Sequence, residues 1–356
     1  MKVLFAAPQA VSVLSGGLRR QILETASGLE ELGFKIEYLS PNRQIHSIRA
    51  DLIHLFGAHA ETYFLLNHLK SIDIPKILSP VFFSRRSGSM LHLLLQFQDI
   101  LSKTPLLSLS ELQMRKRACE LATHLLPNTK MEAKLLTDAF HVSQSKMTVI
   151  PNGADTQRFR TSTLENFHSR FPYREFILYV GDLTAERKNV GRLIHAYQSL
   201  LERNSTLPDL VLAGELGDSP YANKIRAEIE AHRNIHWIGP IAHEDPLLGS
   251  LYRAASIFIL PSYFETPGIA ALEAALAGSQ IVITPYGGTK EVFQDSAIYI
   301  EPGSSHSIAS GLEQAIHLIH SSETIDRQER LIERITTYFD WKAVASQTAD
   351  IYRSLL

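Results

Sequence analysis

The chain has 356 residues, too many for one ordinary open α/β core, and halving it gives two units of the usual domain size. Its 35 Lys+Arg against 37 Asp+Glu leave no global basic field to recruit nucleic acid, so no nucleic-acid partner is expected. A hydrophobic fraction of 45% with 20% charged residues excludes a disordered or fibrous chain. No run approaches the roughly 20 apolar residues of a membrane-spanning helix. The single cysteine, Cys119, can form no internal disulfide and no thiolate metal cage, which points to a reducing, cytoplasmic setting.

In chain order, short apolar runs alternate with longer amphipathic segments, the pattern of a parallel sheet covered by helices on both faces. The run at Val3–Ala7 reads as a buried first strand rather than a signal sequence. Further strands are expected at Lys35–Leu39, Asp51–Leu55, Lys76–Ser79, His124–Pro127 and Met147–Ile150. Between the first two, Gly16-Gly17 follows Ser15 and opens a helix over Leu18–Leu32, and paired glycines let backbone approach a ligand closely. This is not a complete G-x-G-x-x-G, so a nicotinamide site is poorly supported.

Met90–Arg117 mixes leucines with Lys103, Arg115, Lys116 and Arg117 and admits two readings. One is a helix's core face, the commoner case. The other is a peripheral contact with a membrane surface near a lipid-linked acceptor.

Pro151-Asn152-Gly153-Ala154-Asp155 is dense in turn formers, and polar sequence follows to Ser169, so a hinge is expected near residues 155 to 170. The expected domains are 1–160 and 170–340, each a doubly wound α/β sheet. The second-half strands fall at Phe176–Val180, Leu210–Ala213, Ile235–Ile238, Ile257–Leu260, Ile281–Thr284 and Ile298–Ile300.

After the first of these, Gly181-Asp182-Leu183-Thr184-Ala185-Glu186-Arg187-Lys188-Asn189 leads into a helix over Val190–Leu201. Gly181 permits a sharp turn at the sheet edge. Arg187 and Lys188 oppose the helix dipole, a placement that makes more sense beside an anion, although an ordinary basic loop reads the same way.

The densest signal is Pro261-Ser262-Tyr263-Phe264-Glu265-Thr266-Pro267-Gly268-Ile269, continuing through Glu273 to Gly278. It reads as strand end, loop and helix, the helix starting near Pro267 or Gly268 and closing on Gly278 as a left-handed cap. The free amides at its start would suit a diphosphate. A rise of about 1.5 Å per residue places Glu265 and Glu273 roughly 10 Å apart along the axis. That is too far for a shared proton and suits hydroxyls at two points of one long ligand. Solvated glutamates are the plainer alternative.

Gly287-Gly288-Thr289-Lys290-Glu291 follows the next strand. The 15 histidines form no H-E-x-x-H pattern, and no G-x-S-x-G or Walker A sequence occurs, so a dedicated metal site, a hydrolase and an ATPase are disfavoured.

Together these motifs resemble the retaining glycosyltransferases of family 4, whose GT-B fold sets two Rossmann-like domains around a cleft. The resemblance rests on Glu265-x7-Glu273 followed by Gly287-Gly288-Thr289-Lys290-Glu291-Val292, on Val149–Phe159 as the interdomain segment, on Arg187-Lys188-Asn189 as a phosphate-binding loop, and on Gly16-Gly17. Tyr338-Phe339-Asp340-Trp341 is similar to the start of a tail, about 341–356, that packs back on the first domain.

The resemblance implies a nucleotide-diphosphate sugar as donor, a glycan or lipid-linked acceptor, retention of configuration, and no required metal or other cofactor. It implies that Glu273 binds the donor ribose, that Glu265, Thr266 and the amides of Gly268 and Ile269 hold the sugar, and that Arg187 and Lys188 hold the diphosphate. Gly181, Gly16 and Gly17 would line the donor, and Ile238, in Trp237-Ile238-Gly239-Pro240-Ile241, would border the base or merely end a strand.

Two departures stand out. Asp182 occupies a place where many members carry arginine, and Ser79-Pro80-Val81-Phe82-Phe83 lacks a histidine common at the end of the fourth strand. They keep open a catalytically weakened nucleotide-sugar-binding subunit, and a sugar-nucleotide epimerase on the same fold is a third reading.

Overall fold

The computed structural model describes residues 1–12, 16–40, 49–101, 109–204, 206–319 and 321–356. Ser15 and Lys103, singled out above, lie outside them. The chain divides into two compact units, Met1–Asn152 with Trp341–Leu356, and Gly153–Asp340. The first division falls at Asn152/Gly153 rather than at residue 160.

The elements of the first unit run β1 (Lys2–Ala6), α1 (Gly17–Glu31), β2 (Lys35–Tyr38), β3 (Leu52–Phe56), α2 (Ala60–Leu69), β4 (Lys76–Ser79), α3 (Gly88–Leu101), α4 (Glu111–Leu121), β5 (His124–Leu125) and α5 (Lys130–Phe140). The second unit opens with α6 (Thr156–Arg160) and α7 (Glu165–His168). It continues β6 (Phe176–Val180), α8 (Val190–Leu201), β7 (Asp209–Ala213), α9 (Pro220–Glu230), β8 (Ile235–Trp237), α10 (Pro246–Ala254), β9 (Ile257–Leu260), α11 (Ile269–Leu276), β10 (Gln280–Ile283), α12 (Thr289–Phe293), β11 (Ala297–Tyr299), α13 (Ser305–Leu318) and α14 (Ser322–Tyr338). The last helix, α15 (Trp341–Ser354), counts with the first unit.

The first sheet has the order β2-β1-β3-β4-β5, every pair parallel. The strand order reverses between β1 and β3, and Gly16-Gly17 follows β1 into that switch point. A Cβ on either glycine would meet nothing within 4 Å, so packing does not demand glycine there.

The strand expected at Met147–Ile150 is not one. Met147 makes only an isolated parallel bridge to Leu125, with Thr148 N–H donating to Leu125 O at 3.0 Å and Ile150 N–H to Pro127 O at 3.0 Å. The next reciprocal bond needs an N–H from Pro127, and proline has none.

Two buried polar groups organise this unit. His54 on β3 bonds Tyr352 Oη at 2.5 Å and Ser79 Oγ at 2.9 Å, and burial pushes its pKa down to about 3, so it works as a neutral donor and acceptor. Glu132, fully buried on α5, accepts the backbone N–H groups of Phe82 and Asn128, each at 2.8 Å, one on each carboxyl oxygen. It thereby pins the turn after β4, where Val81 takes the left-handed φ of +50° that β-branched residues avoid.

The second sheet has the order β11-β10-β9-β6-β7-β8, again all parallel, and all six expected strands are present within a residue or two. Its central strands are apolar throughout because helices cover both faces, as in Phe176-Ile177-Leu178-Tyr179 of β6, all fully buried. The expected hinge at 155–170 is instead part of this unit. Asp155 caps α6 by accepting Arg158 N–H at 3.0 Å, and Phe159 and Phe167 are buried in the second core. A bridge from Ala154 to Asp340 closes the unit, with Ala154 N–H donating to Phe339 O at 2.8 Å.

Candidate active site

Read as a doubly wound sheet, the second unit reverses strand order between β6 and β9. Ligands of such sheets bind beyond the carboxyl ends of the strands at that crevice. The loops leaving β6 and β9 are the two that the sequence marked.

Lys188 Nζ donates to Glu265 Oε1 at 2.7 Å, and Arg187 Nη1 stands 3.5 Å from the same oxygen. Burial alone would raise the Glu265 carboxyl, yet the charges of Lys188 and Arg187 and the Lys188 hydrogen bond outweigh it and hold the pKa below its ordinary value. Glu265 is therefore an anion with two cations on it.

The backbone fixes this pairing. Arg187 and Lys188 lie in a 3-10 turn, Glu186–Lys188, rather than at the start of α8 itself. Asn189 follows with φ of +62° and, buried, donates its Nδ2 to Pro261 O at 3.1 Å and Pro302 O at 2.8 Å. Tyr263 N–H reaches back to Arg187 O at 3.0 Å, and the Arg187 guanidinium lies 5.1 Å over the Phe264 ring.

From the far side, Glu265 N–H donates to Tyr286 O at 3.0 Å. A Cβ at Gly287 would stand 2.2 Å from Glu265 O, so only glycine lets the loop after β10 lie against Glu265. Thr266 joins Pro267 through a cis peptide, and α11 begins at Ile269 behind Gly268, whose φ is +95°. The half-buried first residues Ile269 and Ala270 leave their N–H groups without helical acceptors, an anion-favouring end.

Glu273 stands apart from this cluster, five residues into a helix otherwise made of alanine, leucine and isoleucine. Its side chain is 4% exposed; Oε1 receives His243 Nε2 at 2.6 Å and Oε2 receives Tyr252 Oη–H at 3.1 Å. Burial, and then the Glu273 charge, push the Tyr252 hydroxyl well above its ordinary pKa, so it remains a donor. His243 and Tyr252 were not singled out from the sequence, and Arg158 and Asn189 were marked only as members of longer motifs. A lone histidine in Ile241-Ala242-His243-Glu244 has no spacing that announces a role.

Gly181 ends β6 beside the Tyr179 hydroxyl, where a Cβ would stand 2.8 Å from that oxygen. Asp182 is exposed and turns Oδ1 onto Thr184 N–H at 2.8 Å and Thr184 Oγ1 at 2.6 Å. In water a like charge at 4 Å costs it only about 1 kcal/mol, far from the cost inside a dry cleft. Ile238 follows β8, continues its pairing by donating N–H to Leu212 O at 3.0 Å, and packs half-buried on the second core. Gly16 and Gly17 belong to the first unit. Among the described residues no three His, Cys, Asp or Glu side chains gather as a metal site.

Residues 163–336 match the family described as glycosyl transferases group 1. That stretch of the second unit is a group 1 glycosyltransferase domain. It is 30% identical over 221 residues to a glycogen synthase of Mycobacterium tuberculosis, a match covering 61% of this chain and 50% of that protein. The chain spans about half the length of the curated relatives it matches. Over its whole length it has the fold of a sucrose-phosphate synthase from Thermosynechococcus elongatus, with a TM-score of 0.79 at 16% identity and coverage of 100% and 99% of the two chains. Anabaena HepE in complex with UDP and glucose superposes with a TM-score of 0.74 at 17% identity, covering 99% and 100%. The fold is therefore GT-B, two parallel-sheet α/β units, as the motifs led one to expect.

Proposed function

We propose that the chain is a retaining glycosyltransferase that moves a hexose-type sugar from a nucleotide-diphosphate sugar to a glycan or lipid-linked acceptor, in polysaccharide or envelope-glycan synthesis. The observation that carries this reading is the Arg187–Lys188 pair anchored on Glu265 at the strand-order switch of the second sheet. When the bond from sugar C1 to the diphosphate breaks, negative charge gathers on the departing oxygens. Two fixed cations beside the free amides of Gly268 and Ile269 stabilise it, the largest task in such a transfer, and do so without a metal ion.

Glu265, held by those cations, and Thr266 bind the sugar hydroxyls, and Glu273 takes the ribose. Gly181 lets the diphosphate approach the end of β6, and Ile238 borders the base. That a group 1 relative is named a glycogen synthase and a structural neighbour was seen with UDP and glucose supports a nucleotide-sugar donor. Asp182, exposed and bonded to Thr184, weakens the motive for a catalytically impaired subunit.

The acceptor side is proposed to work at a cytoplasmic membrane surface. On α3, Met90, Leu93, Phe97 and Ile100 recur at helical spacing with exposures of 57, 66, 59 and 65%, while Leu91 and Leu95 are buried. The leucine-rich stretch thus has both a core face and an outward apolar face, and exposed Arg85 and Arg86 precede it. No helix among the described residues is long and apolar enough to cross a membrane.

The donor assignment is tested by calorimetric titration of UDP-, ADP- and GDP-sugars into the wild type, Lys188→Ala and Glu273→Ala. Selective binding of one donor by the wild type is expected, weakened at least tenfold in each variant, the scale of a charge-assisted hydrogen bond. No binding of any donor to the wild type would sink the reading.

A further inference from the structure

The segment Asp155-Thr156-Gln157-Arg158-Phe159 folds as the first helix of the second unit, and its two largest side chains converge on the only charged residue of α11. Arg158 Nη2 donates to His243 O at 2.5 Å and to Asp245 O at 3.1 Å, gathering the loop between β8 and α10. Arg158 Nη1 faces His243 Nδ1 at 3.4 Å. A guanidinium has only donors, so Nδ1 is the acceptor nitrogen and Nε2 carries the proton that points at Glu273 Oε1, 2.6 Å away. Phe159, fully buried, sets its ring edge-on against His243 at 5.9 Å and Tyr252 at 5.7 Å, and the Arg158 guanidinium lies 5.0 Å over it. Tyr252 holds the other Glu273 oxygen at 3.1 Å.

Exposure is divided unevenly within this cluster. The Glu273 side chain is 4% exposed and that of His243 23%, so the imidazole is the more open member of the pair. Each carboxylate oxygen accepts two hydrogen bonds, and His243 occupies one position on Oε1. One further hydroxyl can therefore share that oxygen, at an angle set by the ring.

We propose that His243, fixed as its Nε2–H tautomer by Arg158, is a positioning and specificity-determining residue that presents Glu273 to one ribose hydroxyl of the donor. The inference rests on the donor site proposed above and adds to it what aims the ribose-binding carboxylate. His243 and Glu273 act as one unit. Without the imidazole the carboxylate turns or takes up water, and the distinction between a ribose and a deoxyribose is lost. Arg158→Lys keeps the charge but cannot grip two carbonyls and the ring nitrogen at once.

The test is calorimetric titration of UDP, ADP and GDP, each against its 2′-deoxy and 3′-deoxy counterparts, into the wild type, His243→Ala, His243→Gln and Arg158→Lys, with the melting temperature of each unliganded variant recorded. The wild type is expected to prefer the ribonucleotide it binds over one deoxy form by about tenfold, the order of one hydrogen bond. His243→Ala is expected to bring that ratio near one, and His243→Gln, which still offers an amide N–H to Glu273, to restore part of it. Arg158→Lys is expected to lower the ratio severalfold and decides the matter if His243→Ala does not fold. A folded His243→Ala, or else Arg158→Lys, with the wild-type ratio overturns the proposal, as does a wild type that binds ribo and deoxy forms alike. A wild type that binds none of the three nucleotides overturns the donor site itself.

Discussion

At the scale of single residues, the sequence marked Glu265, Glu273, Arg187 and Lys188 because they sit in dense local motifs, and the structure joins the first to the last two. What it could not mark are groups whose partners are far away in the chain. His243 meets Glu273 across 30 residues, and Glu132 meets Phe82 across 50. Glu132 makes the more demanding case. Burial raises its pKa to about 7 against an ordinary 4.5, although the backbone N–H groups of Phe82, Asn128 and Val81 pull the other way. The folded state thus binds a proton that the unfolded chain has already released between those values. Stability contributed at this site is greatest below about pH 4.5 and declines as pH rises to about 7, then levels off. Urea titrations from pH 4.5 to 8 should show that decline in the wild type and its loss in Glu132→Gln. The glutamine should itself cost about 1 to 3 kcal/mol, because one of its two ends can no longer accept an N–H. Equal pH slopes in the two proteins would refute the raised value.

At the scale of elements, long apolar strands were legible and short or interrupted ones were not. Phe176–Val180 and Ile257–Leu260 are found where periodicity placed them, whereas Met147–Ile150 loses its ladder to Pro127. Helix faces were harder, because composition shows that α3 is rich in leucine without showing which side packs. The packed side holds Leu91 and Leu95, and the outward stripe of Met90, Leu93, Phe97 and Ile100 is what a bilayer surface would take. Burying such side chains is worth up to about 1.5 to 3 kcal/mol each, so removing two should weaken lipid binding more than tenfold. Flotation with vesicles containing anionic lipid is expected to carry the wild type and to leave Leu93→Ser/Phe97→Ser behind at an unchanged melting temperature. Wild type that stays with the aqueous fraction, or that self-associates through this face in light scattering, overturns the membrane assignment.

At the scale of the whole molecule, the first unit is discontinuous in sequence: the chain leaves it at Asn152 and re-enters it at Trp341. The returning helix α15 is part of its core rather than an appendage. Tyr352 is fully buried and bonds His54, and Val344, Ala345 and Ala349 are buried as well. On α1, Gly28 packs so closely on Ala345 that a Cβ there would fall 2.5 Å from the alanine's own. The second unit needs none of these residues, since its bridge between Ala154 and Asp340 closes before α15 begins. Ending the chain after Asp340 therefore strips the first unit of one covering helix and leaves His54 buried without its tyrosine, a loss of several kcal/mol on a domain whose total stability is of order 5 to 15 kcal/mol. Calorimetric scans of the truncated chain are expected to lose or sharply lower the transition of the first unit while that of the second keeps its midpoint. Nucleoside diphosphate titrations should still report the second-unit site. Two transitions at their full-length positions would show that α15 does not complete the first core, whereas collapse of both would show that the second unit cannot fold without it.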